Sequence, residues 1–182
     1  MNYSHGYLEL IIGPMYSGKT SSLIHIYNKY YQHYKILVVN HEDDTRYGSH
    51  QMSTHDGNKI PCVYSNTLHK IPDIDHYDII LVNEGQFFHD LKKDVLELVE
   101  EKHKQVYIAG LDGDFKRNPF DNIISLIPYC DSIQKLHALC TSCKDGSYAL
   151  FSLRLSKETD VKVIGNTNYT PLCRKCYNRA NE

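Results

Sequence analysis

The segment Leu10–Thr20 constrains the fold of this 182-residue chain more than any other. An apolar run passes directly into Gly-x-x-x-x-Gly-Lys-Thr, from Gly13 to Thr20, and then into a helical pattern. Glycines at these spacings let successive backbone N–H groups converge on a phosphate, and the following helix adds the positive end of its dipole. Lys19 would reach the β- and γ-phosphates, and Thr20 would ligate Mg²⁺. The alternative is a chance glycine turn, but both flanks favour a nucleoside-triphosphate site.

Length and charge narrow the class of protein. A chain of 182 residues suits one α/β domain with a small appendage. Twenty Lys and Arg against 22 Asp and Glu give a net charge of −2, which creates no long-range attraction to nucleic acid or to an anionic membrane. No apolar run reaches the about 18 residues of a spanning helix, and residues 1–5 lack a basic segment followed by an apolar one, so we expect no signal peptide. These features predict a soluble, cytoplasmic protein with a small-molecule partner, and neither nucleic acid nor a membrane.

Apolar runs of strand length alternate with helical or polar segments, which predicts a parallel sheet covered by helices. The predicted strands are Tyr7–Ile12, Lys35–Asn40, Asp78–Val82, Gln105–Ala109 and Ser132–Leu139. Helical spacing relates Leu23, Ile26, Tyr27, Tyr30 and Tyr34, and later Leu91, Val95, Leu98 and Val99. The polar segment His41–Asn58 is predicted to be a surface loop. Within it, Asp44 and Arg46 are either solvated charges or residues beside the nucleotide.

A carboxylate follows the third predicted strand. In P-loop enzymes the apolar strand beside the loop commonly ends in an acid, and ligands of open α/β sheets bind at the carboxyl ends of strands. Glu84 is therefore predicted to be a general base that takes a proton from an attacking hydroxyl or water. The alternative makes Glu84 the first-turn acid of the next helix. Further along, Gly110–Phe120 holds two phenylalanines, which either cover a flat ligand or serve ordinary packing.

Four of the six cysteines form two Cys-x-x-Cys pairs, separated by 29 residues. Cys140, Cys143, Cys173 and Cys176 can give four thiolates to a tetrahedral Zn²⁺. A hairpin from Ser147–Leu153 and Asp160–Ile164, with a loop over Gly165–Leu172, would bring the pairs together. A redox pair or two accidental pairs are the alternatives. Cys62 and Cys130 are predicted to be ordinary apolar residues.

Taken together, the chain resembles the type II thymidine kinases, a family of cellular and poxviral cytosolic enzymes. The resemblance rests on Gly13–Thr20, Asp44–Tyr47, Thr54–Asp56, Glu84–Phe88, Leu111–Phe120, Val163–Gly165 and Cys173–Tyr177. It implies a RecA-like α/β domain over residues 1–138 and a zinc-binding subdomain over 139–182, whose lasso loop covers the nucleoside. It also implies transfer of the γ-phosphate of ATP, with Mg²⁺, to the 5′-hydroxyl of thymidine, with deoxyuridine as a further acceptor, for deoxyribonucleoside salvage and DNA synthesis. Family members are usually homotetramers that dTTP inhibits.

The resemblance assigns roles to individual residues. Glu84 matches the catalytic base, and Thr20 the Mg²⁺ ligand. The ATP-binding set is Gly13, Pro14, Met15, Tyr16, Ser17, Gly18, Lys19, Thr20, Asp44, Arg46 and Gln86. The thymidine-binding set is Met15, Phe87, Phe115, Phe120, Val161, Lys162, Val163, Ile164, Gly165 and Tyr169.

Two positions depart from the family pattern. Asn83 stands where the family has Asp, and Gly165-Asn166 replaces a Gly-Gly pair in a lasso about one residue shorter. An amide lacks the charge that attracts Mg²⁺, although its oxygen still accepts a hydrogen bond.

One alternative is therefore a homologue that binds nucleoside and nucleotide with weak or no kinase activity. The sequence accordingly predicts that Asn83→Asp raises activity at low Mg²⁺. Another alternative is a zinc-ribbon nucleic-acid binder, which the near-neutral charge disfavours.

Overall fold

The apolar runs become strands of one parallel sheet. The computed structural model describes residues 5–44, 50–53, 57–156 and 168–182. Its strands are β1 (Tyr7–Ile12), β2 (Ile36–His41), β3 (Gln51–Ser53), β4 (Lys59–Pro61), β5 (Val63–Ser65), β6 (Ile79–Val82), β7 (Gln105–Gly110), β8 (Ser132–Lys135), β9 (Ala138–Leu139), β10 (Tyr148–Ala149), β11 (Phe151–Arg154) and β12 (Tyr169–Leu172). Its α-helices are α1 (Lys19–Tyr30), α2 (Leu91–Leu96), α3 (Asp121–Ile124) and α4 (Arg174–Ala180).

Six strands form the central sheet in the order β5-β2-β6-β7-β1-β8, and all neighbours run parallel. The predicted α/β class is therefore confirmed. Strand β6, which precedes Glu84, does not lie beside β1, because β7 pairs with both. The two strand ends are thus about 10 Å apart at the usual spacing of strands. None of the described helices is long and apolar enough to cross a membrane.

Successive side chains of each strand point to opposite faces of the sheet and build a separate apolar layer on each face. In β1, Leu8, Leu10 and Ile12 pack into one layer, while Ile11 packs into the other. The predicted apolar faces of the helices are confirmed. Leu23 of α1 is buried in the second layer, and Leu91, Val95, Leu98 and Val99 are buried in the first. Both faces of the sheet are covered, as the near-continuous apolar strands require.

The prediction of a surface loop over His41–Asn58 is wrong in part. His41 ends β2, and residues 51–53 form β3, which pairs antiparallel with β4. Met52 is buried beside Ile60 in the layer that contains α1. One apolar residue in a three-residue strand gives no periodic signal, so the sequence could not reveal it. Residues 45–49 and 54–56, with Arg46, lie outside the described residues.

The C-terminal part also differs from the prediction. The single strand predicted over Ser132–Leu139 is two strands, because β8 joins the parallel sheet and β9 pairs with β10. The partner of β11 is β12, in a segment predicted to be loop. Pro171 inside β12 disguised this strand, since proline cannot donate to a ladder and is confined to edge strands. The predicted strand Asp160–Ile164 lies outside the described residues.

A buried carboxylate fastens the chain before β6 to α2. Asp94 accepts hydrogen bonds from the backbone N–H of Leu68 at 3.0 Å and of His69 at 3.2 Å, and contacts the His69 ring at 3.0 Å. We expect Asp94→Ala to lower the free energy of unfolding by about 1–3 kcal/mol, because the buried N–H of Leu68 and the part-buried N–H of His69 would lose their acceptor. Chemical denaturation would measure this change.

Asp90→Ala is the matched control for that measurement. Asp90 precedes the same helix, is exposed and makes no side-chain cap. Its replacement should change the free energy of unfolding by less than about 0.5 kcal/mol. Equal effects of the two replacements would show that the buried hydrogen bonds of Asp94 contribute nothing particular.

Candidate active site and metal centre

The loop between β1 and α1 has the shape of an anion site. Gly13 has φ 150°, and a Cβ there would lie 2.4 Å from the Leu136 carbonyl oxygen. Gly18 has φ 87° and precedes α1, which has no acidic residue in its first turn. Lys19 Nζ donates to the Pro14 carbonyl oxygen at 2.6 Å. The lysine therefore lies against the loop at the positive end of the helix, and its predicted contact with phosphate stays a prediction.

A buried chain of polar side chains lies at the carboxyl ends of β2 and β6. Thr20 Oγ1 is 3.5 Å from Asn83 Oδ1, Asn83 Nδ2 donates to Asn40 Oδ1 at 3.1 Å, and Asn40 Nδ2 donates to Asp44 Oδ2 at 3.0 Å. Asn40, Asn83 and Asp44 are 1%, 3% and 6% exposed. The structure thus connects the predicted residues Thr20 and Asp44 through Asn83 and Asn40. Asn40 was missed, although a polar residue that ends an apolar strand run was a usable signal.

Gln86, two residues further along the chain, holds the Glu84 side chain in place. The backbone of Glu84 is left-handed, with φ 55° and ψ 40°, a costly conformation for a non-glycine residue. Gln86 Nε2 donates to Glu84 Oε2 at 2.7 Å, and Gln86 Oε1 accepts from the Leu111 N–H at 3.0 Å. Glu84 precedes the 3₁₀ turn Gly85–Phe87 and does not lie in its first turn, and its side chain makes no cap, so the alternative of a first-turn acid gains no support. Gln86 is buried, and its predicted contact with ATP stays a prediction.

The predicted nucleoside-binding aromatics form two groups. Phe87 and Phe120 meet edge to face with ring centroids 6.2 Å apart. Phe115 lies under the guanidinium of Arg154, 3.9 Å from its ring centroid, and Arg154 also donates to the Tyr169 hydroxyl. Arg154 is 8% exposed, and the faces of the aromatic rings compensate part of the cost of burying its charge. Sequence reasoning missed Arg154, because no motif marks β11 as part of a site.

Strand β11 also touches the phosphate-binding loop. The Met15 N–H donates to Ser152 Oγ at 2.9 Å, and Ser152 is buried. Tyr16 and Tyr169 line one cavity of about 460 Å³, together with Thr141 and Pro171. The C-terminal strands therefore contact the same loop that would hold phosphate. The lasso residues Val161–Gly165 lie outside the described residues.

The four paired cysteines meet at one point. Their sulfur atoms all lie within 4.8 Å of one another, with Cys143 Sγ 3.4 Å from Cys176 Sγ and 3.7 Å from Cys173 Sγ. No disulfide joins them. Four convergent thiols can hold a metal ion, so the prediction of one four-cysteine centre is confirmed. The alternative of two accidental pairs is excluded.

Proton equilibria at this centre favour a cation. Burial raises the pKa of the Cys140 thiol, but hydrogen bonds from the backbone at Cys173, Cys143 and Ser142 outweigh burial and lower that pKa to about 6. Hydrogen bonds with Cys176, Cys173 and Cys140 raise the pKa of Cys143 to about 12. One thiol therefore loses its proton readily, and the resulting negative charge disfavours deprotonation of a second thiol. A bound cation would relieve the repulsion between the two thiolates.

The remaining two cysteines are packing residues, as predicted. Cys62 is buried in the apolar layer that contains α1, and burial raises its pKa to about 11. Cys130 is partly buried against the other layer, and burial raises its pKa too. Neither contributes a sulfur atom to the four-cysteine cluster.

The sheet, the loop and the cysteine cluster define a P-loop α/β protein with a four-cysteine centre. The family model described as thymidine kinase matches residues 6–177. The chain is 42% identical over 176 residues to the thymidine kinase of Myxoma virus (strain Uriarra), covering 94% of this chain and 96% of the relative. It is 41% identical over 177 residues to that of Sheeppox virus (strain KS-1), covering 95% and 97%. It is 40% identical over 176 residues to that of Vaccinia virus (strain Western Reserve), covering 94% and 97%. The chain belongs to the thymidine kinase family.

Proposed function

We propose that this chain transfers the γ-phosphate of ATP to the 5′-hydroxyl of thymidine and gives dTMP, with deoxyuridine as a further acceptor. The observation that carries the proposal is the placement of Glu84 by Gln86, at the same edge of the sheet as the phosphate-binding loop. The family and the names of its viral members support the choice of nucleoside. The chemistry required is proton removal beside a bound triphosphate, and the site has the groups for both.

ATP binds through the loop between β1 and α1. Backbone N–H groups around Gly13 and Gly18 face the phosphates, and the Lys19 ammonium neutralises charge that develops on the γ-phosphate. The Thr20 hydroxyl and the Asn83 carbonyl provide two neighbouring oxygen atoms, the ligand type that Mg²⁺ prefers. Bound Mg²⁺ would supply further neutralisation of the phosphate oxygens. Gly13, Pro14, Met15, Tyr16, Ser17, Gly18, Lys19, Thr20, Asp44, Arg46 and Gln86 stay the proposed ATP-binding set.

The transfer step uses Glu84 as the base. Its carboxylate takes the proton from the 5′-hydroxyl of thymidine as that oxygen forms a bond to the γ-phosphorus. The bond between the γ-phosphorus and the oxygen bridging to the β-phosphate breaks, and ADP leaves with that electron pair. Gln86 Nε2 donates a hydrogen bond to Glu84 Oε2 at 2.7 Å and thereby orients the carboxylate. This contact is the reason we assign Gln86 a positioning role.

Thymine would lie among the aromatic side chains near β11. Phe87 and Phe120 provide one wall, and Phe115, fixed by Arg154, provides another. Met15 and Tyr169, with Val161, Lys162, Val163, Ile164 and Gly165, complete the proposed nucleoside-binding set. Aromatic walls favour a flat base over a sugar or a peptide.

Phosphorylation assays test the proposal directly. Purified protein is incubated with MgATP and thymidine, and in parallel with deoxyuridine, deoxycytidine and deoxyadenosine, and monophosphate product is measured. We expect dTMP as the main product and dUMP as a lesser one. Transfer to none of these nucleosides at any Mg²⁺ concentration would refute the kinase assignment.

A second candidate function is favoured by Asn83. Because a neutral amide replaces the family's Asp beside the metal site, the chain would bind ATP and nucleoside with weak or no transfer. Calorimetric titration with ATP and with thymidine, alongside the assay above, separates the two candidates. Binding without product supports this candidate, and binding with product supports the kinase.

We propose that the four-cysteine centre holds one structural zinc ion. Four thiolates make a closed tetrahedral site with no open position for catalysis. Metal analysis of purified protein should give about one zinc per chain. Cys173→Ser should lose the metal, whereas Cys62→Ser should keep it, because Cys62 lies outside the cluster. Zinc-free protein, or equal loss in both variants, would contradict this proposal.

Further features of the proposal rest on the family resemblance alone. They are a homotetramer, inhibition by dTTP, a cytoplasmic location, a role in deoxyribonucleoside salvage, and the division into residues 1–138 and 139–182. Light scattering of the purified protein would give the oligomeric state. Assays with added dTTP would show whether the product's triphosphate inhibits.

A further inference from the structure

The buried chain from Asp44 to Thr20 has a fixed direction. A carboxylate only accepts hydrogen bonds, so Asp44 Oδ2 at 3.0 Å requires the nitrogen of Asn40 to face it. The backbone N–H of His41 donates to Asn40 Oδ1 at 3.2 Å and independently identifies that atom as the oxygen. Asn40 Oδ1 in turn requires the nitrogen of Asn83, at 3.1 Å. The only atom left to face the Thr20 hydroxyl is then Asn83 Oδ1.

We infer that Asn40 and Asp44 are positioning residues that turn the Asn83 carbonyl oxygen toward the metal side of the phosphate-binding loop. A side-chain amide can point either end at Thr20, and only the oxygen would accept a hydrogen bond from the hydroxyl or from water on a bound Mg²⁺. The two buried partners remove that ambiguity. A neutral residue thereby keeps an oriented acceptor where the family has a carboxylate. The inference deepens the proposed function, since its ligand is the magnesium complex of a nucleoside triphosphate.

The directions of these hydrogen bonds change the result that we expect for Asn83→Asp. An aspartate at position 83 could not donate to Asn40 Oδ1, so two acceptors would face each other in a buried place. If Asn40 turned over to donate to it, the Asn40 oxygen would face Asp44 and lose the His41 N–H. Either orientation leaves a repelled pair. A cation at position 40 would satisfy both carboxylates, so Asn83→Asp requires a partner change such as Asn40→Lys.

The first experiment measures binding rather than turnover. The dissociation constant of a non-hydrolysable ATP analogue is measured by calorimetry, once with Mg²⁺ and once with EDTA. Asn40→Ala should weaken binding with Mg²⁺ about tenfold and leave binding in EDTA within about twofold, because it frees the Asn83 amide without touching the loop. Asn66→Ala is the matched control, since this exposed asparagine bonds only to Glu42 among the described contacts.

Variants of Asp44 test the same inference in a second way. Because Asp44 belongs to the proposed ATP-binding set, its variants are compared by the ratio of the dissociation constant in EDTA to that with Mg²⁺. Asp44→Asn keeps an oxygen that accepts from Asn40, so this ratio should stay within about threefold of the parent ratio, whereas Asp44→Ala should lower the ratio about tenfold, as Asn40→Ala does. If Asn40→Ala fails to fold, Asp44→Ala, which keeps both amides, gives the comparison. Equal weakening with Mg²⁺ and with EDTA, or no weakening, would overturn the inference.

The unfolding temperatures of the Asn83 variants provide the third measurement. Asn83→Asp should unfold at a lower temperature than the parent protein, and adding Asn40→Lys to it should recover part of the loss. An Asn83→Asp protein as stable as the parent would show that the amide direction is not fixed. Failure here is distinguishable from failure of the proposed function. A parent that binds no ATP analogue refutes the function, whereas a parent that makes dTMP while its Asn40 variant keeps full Mg²⁺ dependence refutes only the positioning role.

Discussion

Replacing Glu84 with Gln is expected to lower the turnover number for thymidine phosphorylation about 10²- to 10⁴-fold. The glutamine side chain keeps the shape of glutamate. Its carbonyl oxygen can still accept a hydrogen bond from Gln86 Nε2, which lies 2.7 Å from Glu84 Oε2 in the parent protein. It cannot take a proton from the 5′-hydroxyl. Steady-state kinetics and calorimetry with thymidine should therefore show a large loss of turnover with little loss of nucleoside affinity.

Glu101→Gln is the control for Glu84→Gln. Glu101 is an exposed residue at the end of the π-helical segment Glu97–Glu101 that continues α2, and the substitution makes the same isosteric change. Its turnover should equal that of the parent protein. A Glu84→Gln protein that phosphorylates thymidine at the parent rate would remove Glu84 from the role of base, whatever its affinity for nucleoside.

Replacing Lys19 with Met should abolish measurable transfer. Lys19 lies at the start of α1 with its ammonium against the Pro14 carbonyl, so its charge belongs to the phosphate-binding loop. Methionine keeps most of the side-chain length but cannot stabilise charge on the γ-phosphate, and loss of one such group typically costs at least about 10²- to 10³-fold in rate. Product formation over long incubation, normalised to folded protein, measures the loss.

Lys70→Met provides the comparison for the lysine. Lys70 is exposed and belongs to the segment between β5 and β6, outside the loop from Gly13 to Thr20, so this variant should keep full activity. Near-normal turnover in Lys19→Met would mean that the loop from Gly13 to Thr20 is not the catalytic phosphate site. The Lys19 and Glu84 variants together separate the phosphate side of the reaction from the hydroxyl side.

Features that depend on short stretches of chain could be predicted from the sequence. Gly13–Thr20 between a strand and a helix specifies its own backbone, because the glycines and the helix start are local requirements. Near-continuous apolar runs specified buried parallel strands, and the two Cys-x-x-Cys pairs specified one cluster of four thiols. In each case the residues that form the feature are neighbours in the chain or repeat at a fixed period.

Contacts between residues that are distant in the chain could be read only from the folded protein. The order of the strands inserts β7 between β1 and β6 and brings the ends of β2 and β6 together, so that Asn40 reaches Asn83 across 43 positions of sequence. It also brings Ser152 to Met15, across 137 positions. A single asparagine or serine carries no periodic signal, and its hydrogen-bond partner depends on strand pairing. The direction of the Asn83 amide was therefore absent from the sequence pattern, because it is fixed by buried acceptors that only the folded sheet places beside it.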